Sequence, residues 1–222
     1  MDSERGRTEE EQRYYSRSER VYALFAPFYD LAALPIAGLR REAARRAGVG
    51  VGSKVLDVAT GTGAQAHEFA AAGGEVVGID LSEPMLRVAR RKRRLPNLTF
   101  LRADATALPF EDSRFDVACV SFALHEMPRS VQGAVLREMA RVTRRGGTVV
   151  VVDYALPRNA VASALVLRAV RLYERDHYED FVRSDLGAML HEAGIELRGD
   201  LRALFGVARV VTGVVPKDER PA

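Results

Sequence analysis

The stretch VLDVATGTG at 55–63 limits what this chain folds into more than any other. Two apolar residues lead to Asp57, a Gly-x-Gly turn follows at Gly61 and Gly63, and 64–72 are strong helix formers. That order predicts a strand, a tight turn and a helix. Glycine lets a backbone approach a ligand without a Cβ in the way, and the free N–H groups of a helix start attract anionic groups. A buried strand feeding such a turn points to a small-molecule site, although an ordinary βα turn of an α/β protein has the same local look.

The pattern around this stretch extends it into a sheet. Apolar, β-branched runs predict strands at 54–58, 75–80, 98–103, 116–121 and 148–152, with helices over 39–47, 82–94, 130–145, 159–175 and 179–193. Gly48, Gly73-Gly74, Gly146-Gly147 and Gly194 stand where those helices should stop. Alternating β and α elements imply a parallel sheet with right-handed crossovers and helices on both faces. The last two strand-like runs, 195–204 and 207–215, have only Phe205-Gly206 between them. So short a link forces them antiparallel, because a parallel return needs a dozen residues or more. The expected fold is therefore α/β, with a mostly parallel seven-stranded sheet and a C-terminal antiparallel hairpin.

The N-terminal residues read differently. Residues 1–20 carry eleven charged side chains and no aliphatic residue beyond Met1, which predicts a disordered charged tail. From Val21 an apolar-aromatic segment begins, with Tyr22, Phe25 and Tyr29, cut into short helices by Pro27 and Pro35. These aromatics serve either as core or as a lid over a pocket. The organisation expected is one domain over 21–222, with a helical lid over about 21–48.

Bulk composition excludes several functions. With 33 basic and 30 acidic residues and no long single-sign block, the excess of +3 gives no case for a nucleic-acid partner. Cys119 is the only cysteine, so there is no intramolecular disulfide, thiolate metal cluster or redox pair. The four histidines show no metal spacing, and no metal is expected. The most apolar run, 160–170, contains Arg168 and is too short for a membrane span, and no apolar leader is present, so a cytoplasmic protein is expected.

Ligands of open α/β sheets bind outside the carboxyl ends of the strands. Strand one ends at Asp57, strand two at Asp80, strand three at Asp104, and strand four at Ser121, running on to His125. A single acid at such an end is equally an N-cap or a solvated loop residue. Three at matching positions suit a ligand with hydroxyl and ammonium groups. Asp80, about twenty residues past the glycines, is placed to accept a ribose diol. Asp57 would meet an amine, and Asp104 an exocyclic amine.

With these residues in place, the chain resembles a class I S-adenosylmethionine-dependent methyltransferase, of the branch similar to the ubiquinone and menaquinone methyltransferases (methyltransferase type 11). The resemblance rests on VLDVATGTG at 55–63, VVGIDLSEPML at 76–86, RADATALPFEDSRFDVACVSFALHEMP at 102–128 and RRGGTVVVVDY at 144–154. It implies a three-layer Rossmann-like methyltransferase fold, S-adenosylmethionine as methyl donor, S-adenosylhomocysteine as product and a small-molecule methyl acceptor. By that resemblance Asp57 would hold the methionine amino group, and the turn from Ala59 through Gly61, Thr62 and Gly63 would wrap the methionine part. Asp80 would take the ribose hydroxyls, Leu81 and Met85 would pack on the adenine, and Asp104 with the Ala105 N–H would read its edge. Ser121 would lie beside the methionine moiety, and Tyr29 would close over the cofactor.

The chain departs from the family pattern at Ala59, often glycine, and at His125-Glu126, where the quinone enzymes usually carry Arg-Asn. The second departure bears on the acceptor. Methyl transfer is an in-line displacement that positioning accelerates, and a base is needed only where the acceptor is a hydroxyl or a protonated amine. A histidine has the right pKa range, which makes His125 the candidate base; a structural histidine bonding a turn carbonyl is the competing role. His177 and Tyr178, with Tyr22, Phe25 and His125, are candidate acceptor contacts in a fairly apolar or aromatic pocket. Two other functions fit parts of the pattern. Gly61 to Ala66 satisfies a G-x-G-x-x-A dinucleotide fingerprint, although Asp57 would repel a pyrophosphate. A protein that binds S-adenosylmethionine without catalysis would also keep these acids and glycines. Nothing in the sequence reads out an oligomeric state.

Overall fold

The computed structural model describes residues 8–12, 36–170 and 177–217. Helix α1 (Ala37–Arg46) precedes strand β1 (Lys54–Val58), helix α2 (Ala64–Ala71), strand β2 (Glu75–Asp80), helix α3 (Glu83–Lys92), strand β3 (Leu98–Arg102) and strand β4 (Phe115–Ser121). Then come a single 3-10 turn (Leu124–Glu126), helix α4 (Arg129–Val142), strand β5 (Thr143–Tyr154) and helices α5 (Ala160–Val170), α6 (Tyr178–Arg183) and α7 (Leu186–Glu192). Strands β6 (Glu196–Ala203) and β7 (Ala208–Val214) close the chain.

The described strands form one seven-stranded sheet in the order β3-β2-β1-β4-β5-β7-β6. The pairs from β3 to β5 are parallel, and β7 lies antiparallel between β5 and β6. Strand order reverses between β1 and β4, so the carboxyl ends of those two strands flank the crevice where open α/β sheets bind ligands. The α/β class, the strand count and the terminal antiparallel hairpin match the expectation from the sequence.

Two apolar layers cover the sheet. One face carries Leu56, Val58, Val149, Val151 and Val211 against Leu136 and Met139 of α4, Phe181 of α6 and Leu190 of α7. The opposite face carries Val55, Val117, Cys119, Val150 and Val152 with Ala43 of α1 and Phe69 of α2. Val150, Val151 and Val152 are fully buried, which is why this part of β5 shows no polar alternation. Cys119 packs in the same layer, where burial pushes its thiol far above the ordinary range.

Two helix boundaries differ from the expectation. The helix expected over 130–145 ends at Val142, before the glycines, because Thr143 turns into β5 opposite Phe115 while its Oγ1 donates to Met139 O at 2.7 Å. The helix expected over 179–193 is two helices. Ser184 Oγ donates to Phe181 O at 2.7 Å, closing the first, and Asp185 Oδ1 accepts from Ala188 N at 3.1 Å, opening the second. Short polar side chains bond to nearby backbone in this way and interrupt a helix that apolar spacing alone would carry through.

The crossover carrying Asp104 is held from below. Arg141 on α4 donates from Nη1 to Phe110 O at 2.8 Å and from Nη2 to Leu108 O at 3.0 Å, and Glu138 accepts from Leu108 N at 2.7 Å. Residues 9–12 form a helical turn, with Glu11 Oε1 accepting from Ser130 Oγ at 2.7 Å. The expectations for 1–7 and 13–35, including Tyr22, Phe25, Tyr29 and most of the lid, lie outside the described residues.

Candidate functional site

The turn after β1 is built from left-handed backbone. Ala59, Gly61 and Gly63 have φ of 52°, 56° and 75°. Thr60 N donates to Ile79 O at 2.8 Å, and Gly63 N to Thr60 O at 2.9 Å, so the turn is strapped to β2 and closed on itself. Ala59 takes this conformation although it bears a Cβ, a local cost that an alanine carries and a glycine would not. Gly61 and Gly63 are unlike each other. A Cβ on Gly61 would meet nothing within 4 Å, whereas one on Gly63 would come within 2.6 Å of Phe100 Cζ and 3.2 Å of Ala89 Cβ.

Asp80 ties the turn to the neighbouring strand. Its Oδ2 accepts from Gly61 N at 2.8 Å, and its Oδ1 from Ser82 N at 2.8 Å. Ser82 then caps α3, its Oγ accepting from Met85 N at 3.4 Å. Burial pushes the Asp80 carboxyl up, against the pull of the Ser82 and Gly61 N–H groups. Each carboxylate oxygen has two lone pairs, so this arrangement leaves acceptor capacity for a ligand diol. Asp104 forms an Asx turn, its Oδ1 accepting from Thr106 N at 2.9 Å and from Thr106 Oγ1 at 2.7 Å.

Asp57 is fully buried, and Thr60 Oγ1 donates to its Oδ2 at 2.5 Å. Its Oδ1 is buried and has no hydrogen bond of good geometry, although the Ala66 N–H bears on the carboxylate and lowers its pKa. Burial outweighs these donors and pushes the Asp57 carboxyl up to about 7. A buried acceptor oxygen beside an open glycine turn suits an ammonium group, which would restore the charged form.

This shift has a consequence for stability. The folded chain holds the Asp57 proton up to about pH 7, whereas the unfolded chain releases it near 3.8. Between those values the native state binds more protons, so stability falls as pH rises, by up to about 1.4 kcal/mol per pH unit. Without ligand, the melting temperature is expected to drop between about pH 5 and pH 7. Asp57→Asn should flatten that slope in a differential scanning experiment, and an unchanged slope would assign it to other groups.

Ala59, Gly61, Asp80, Leu81, Asp104, Ala105 and Ser121 are half-buried around the carboxyl edge of the sheet, while Asp57, Thr62, Gly63 and Met85 are buried behind them. The structure thus brings the described cofactor candidates to the ends of β1, β2, β3 and β4. The open side of Gly61 and the unsatisfied Asp57 oxygen fit a cofactor with an amino-acid end. His177, next to Tyr178 in sequence, has its Nδ1 3.7 Å from Glu10 Oε1.

His125 lies on the 3-10 turn after β4 and is 3% exposed. Its Nδ1 is 2.7 Å from Oδ1 of Asp153, a fully buried residue at the end of β5. The histidine therefore bonds a carboxylate, a partner not considered from the sequence. Its ring packs edge-on against Tyr154, with centroids 4.7 Å apart, and against Tyr178 at 5.9 Å. Gln132 Nε2 fixes the turn by donating to Leu124 O at 3.0 Å and Met127 O at 2.9 Å. Asp153 and Tyr154 were not picked out by the sequence reading. The available signal was an acid directly after the valine run of β5, the same position that Asp57 and Asp80 occupy on their strands.

Comparison with known proteins agrees with this geometry. A methyltransferase domain family matches residues 55–147. The demethylmenaquinone methyltransferase of Beutenbergia cavernae is 36% identical over 197 residues, covering 78% of this chain and 80% of that protein. That of Renibacterium salmoninarum is 40% identical over 149 residues, covering 64% of this chain and 61% of that protein. Among solved structures, an S-adenosylmethionine-dependent methyltransferase from Aquifex aeolicus superposes with a TM-score of 0.62 at 22% identity, covering 79% of this chain and 89% of that one. At that identity the superposition shows a shared fold. A dinucleotide enzyme is not favoured, since the glycine turn falls inside the methyltransferase match.

Proposed function

The chain belongs to the S-adenosylmethionine-dependent methyltransferases, in the family that holds the demethylmenaquinone methyltransferases, and we propose that it methylates a small apolar or aromatic acceptor carrying an ionisable hydroxyl, with His125 as the base. S-adenosylmethionine supplies a methyl group on a positively charged sulfur. The residues of this chain bind, orient and shift a proton. Asp80 accepts the ribose hydroxyls, the unsatisfied oxygen of Asp57 takes the methionine ammonium, and Asp104 with the Ala105 N–H faces the adenine edge.

The observation that carries the acceptor class is the surrounding of His125. A histidine enclosed by Tyr154 and Tyr178, with Phe122 packed on Tyr154 at 5.2 Å, is a base set in an aromatic wall. Such a wall suits a ring or an alkyl chain, and removing a hydroxyl proton makes an acceptor electron-rich at the moment of transfer. The relatives are named demethylmenaquinone methyltransferases, which supports an acceptor built on an aromatic ring, while His125-Glu126 in place of the usual Arg-Asn supports a ring that differs from theirs. The chain has no group of three or more metal-ligating side chains and no helix able to cross a membrane among the described residues.

Calorimetry with S-adenosylmethionine and NAD separately tests the donor. Micromolar binding of the first and none of the second is expected, and the reverse would overturn the reading. A panel of naphthoquinols, phenols and amines with methyl-labelled cofactor tests the acceptor. Transfer to a hydroxylated ring should fall about 10²-fold in His125→Ala with cofactor affinity kept; full activity in the variant would remove His125 as the base.

A further inference from the structure

The acid behind His125 has no assigned role. Asp153 is fully buried and is held from three sides by the backbone. Its Oδ2 accepts from Leu124 N at 3.1 Å and His125 N at 3.4 Å, and its Oδ1 accepts from Tyr154 N at 2.7 Å. The residue that presents the imidazole and the residue that follows Asp153 therefore both clamp the same carboxylate. A carboxylate so clamped cannot rotate, and it offers His125 Nδ1 an acceptor at 2.7 Å.

We propose that Asp153 is the positioning residue of a His125–Asp153 pair, holding the imidazole as its Nδ1–H tautomer so that Nε2 is the atom that takes the acceptor's proton. This rests on the methyl-transfer reading above. An ionised carboxylate only accepts hydrogen bonds, so Nδ1 must carry the hydrogen and Nε2 the lone pair. Edge contacts from Tyr154 and Tyr178 resist ring flipping, which would exchange the two nitrogens. In the transfer step the acceptor's O–H bond breaks and its proton forms the N–H bond at Nε2. The acceptor's electron pair forms the new bond to the methyl carbon, the S–C pair returns to sulfur, and the imidazolium later gives its proton to water. Asp153 steadies the imidazolium and takes no proton itself.

Other groups bear on the same ring. Glu126 Oε1 lies 3.7 Å from Nε2. Arg209 on β7 stands opposite Asp153 in the strand register, buried, with its guanidinium 5.5 Å from the Phe181 ring. Tyr178 closes the ring from α6. Asp153 lies within hydrogen-bond reach of Nδ1, at 2.7 Å.

The test is the 15N signature of the His125 ring, assigned by its disappearance in His125→Gln. In the native chain near pH 8 the Nδ1–H tautomer is expected. In Asp153→Asn that preference should be lost and the titration midpoint should move down by about one pH unit, since a partner charge is gone. With an acceptor of the panel, kcat should fall about 10²-fold or more with KM and cofactor affinity within threefold, and the acidic limb of the rate profile should follow the midpoint. Asp153→Asn placed on His125→Gln should cost nothing further. An Nε2–H tautomer in the native chain, or an unchanged midpoint in the variant, would overturn the proposal. If Asp153→Asn does not fold, the native tautomer alone decides it. If no acceptor turns over while S-adenosylmethionine binds, the acceptor class fails and the tautomer still judges the pair.

Discussion

Asp80→Ala is expected to weaken S-adenosylmethionine binding by about 10²- to 10⁴-fold while leaving a folded protein. The size comes from two hydrogen bonds between a charged carboxylate and the ribose hydroxyls, each worth about 1.5–3 kcal/mol. A second loss adds to it, because Asp80 also accepts from Gly61 N and Ser82 N, one N–H from the turn after β1 and one from the turn after β2. Without the carboxylate, the glycine turn and the start of α3 lose their common anchor, and the bound geometry must be rebuilt by the ligand. Asp80→Asn separates the two parts. Its carbonyl oxygen still accepts one N–H while its amide hydrogens face the other, so it should fall between wild type and alanine. Calorimetric affinity within threefold of wild type in Asp80→Ala would place the ribose elsewhere.

The same residue shows how far a sequence carries such a site. Asp80 was legible because three signals coincide on it: a β-branched strand, a terminal acid and a fixed spacing from the glycines. β1 and β2 span 54–58 and 75–80, as the apolar runs predict, and β2 is bounded by Glu75 and Asp80. Asp153 had the first two of these signals and lacked the third. The valine run of β5 reads as a buried strand that stops at Val152, whereas the strand runs on to Tyr154. Its significance arises from the 3-10 turn after β4, which lies 28 residues away in sequence and folds His125 onto it. No local spacing reports a contact of that range. The break at Ser184-Asp185 was missed for the opposite reason: local side-chain bonding overrode a periodicity that was otherwise helical.

The two glycines of the turn carry the second large effect, and they separate folding from binding. Gly63 has φ of 75°, and its α-carbon faces the Phe100 ring, which also lies 2.8 Å from where a Cβ on Gly78 would be. The half-buried ring therefore occupies a slot between two glycines, and moving away from a Cβ at one brings it toward the other. Gly63→Ala combines left-handed strain of about 1–2 kcal/mol with overpacking of about 1–3 kcal/mol. A total near 2–5 kcal/mol should lower Tm by roughly 5–15 °C. Gly61 has φ of 56°, and a Cβ there meets open space on the ligand side of the turn. Gly61→Ala should carry only the strain, lowering Tm by a few degrees, roughly 2–6 °C. Its methyl group would stand where the methionine part of the cofactor is proposed to lie, so cofactor affinity should fall tenfold or more. Thermal melts and calorimetry on both variants check the pair together. Equal losses of Tm would mean that the space beside Gly61 is used by the fold, and an unchanged affinity in Gly61→Ala would move the methionine part away from this turn.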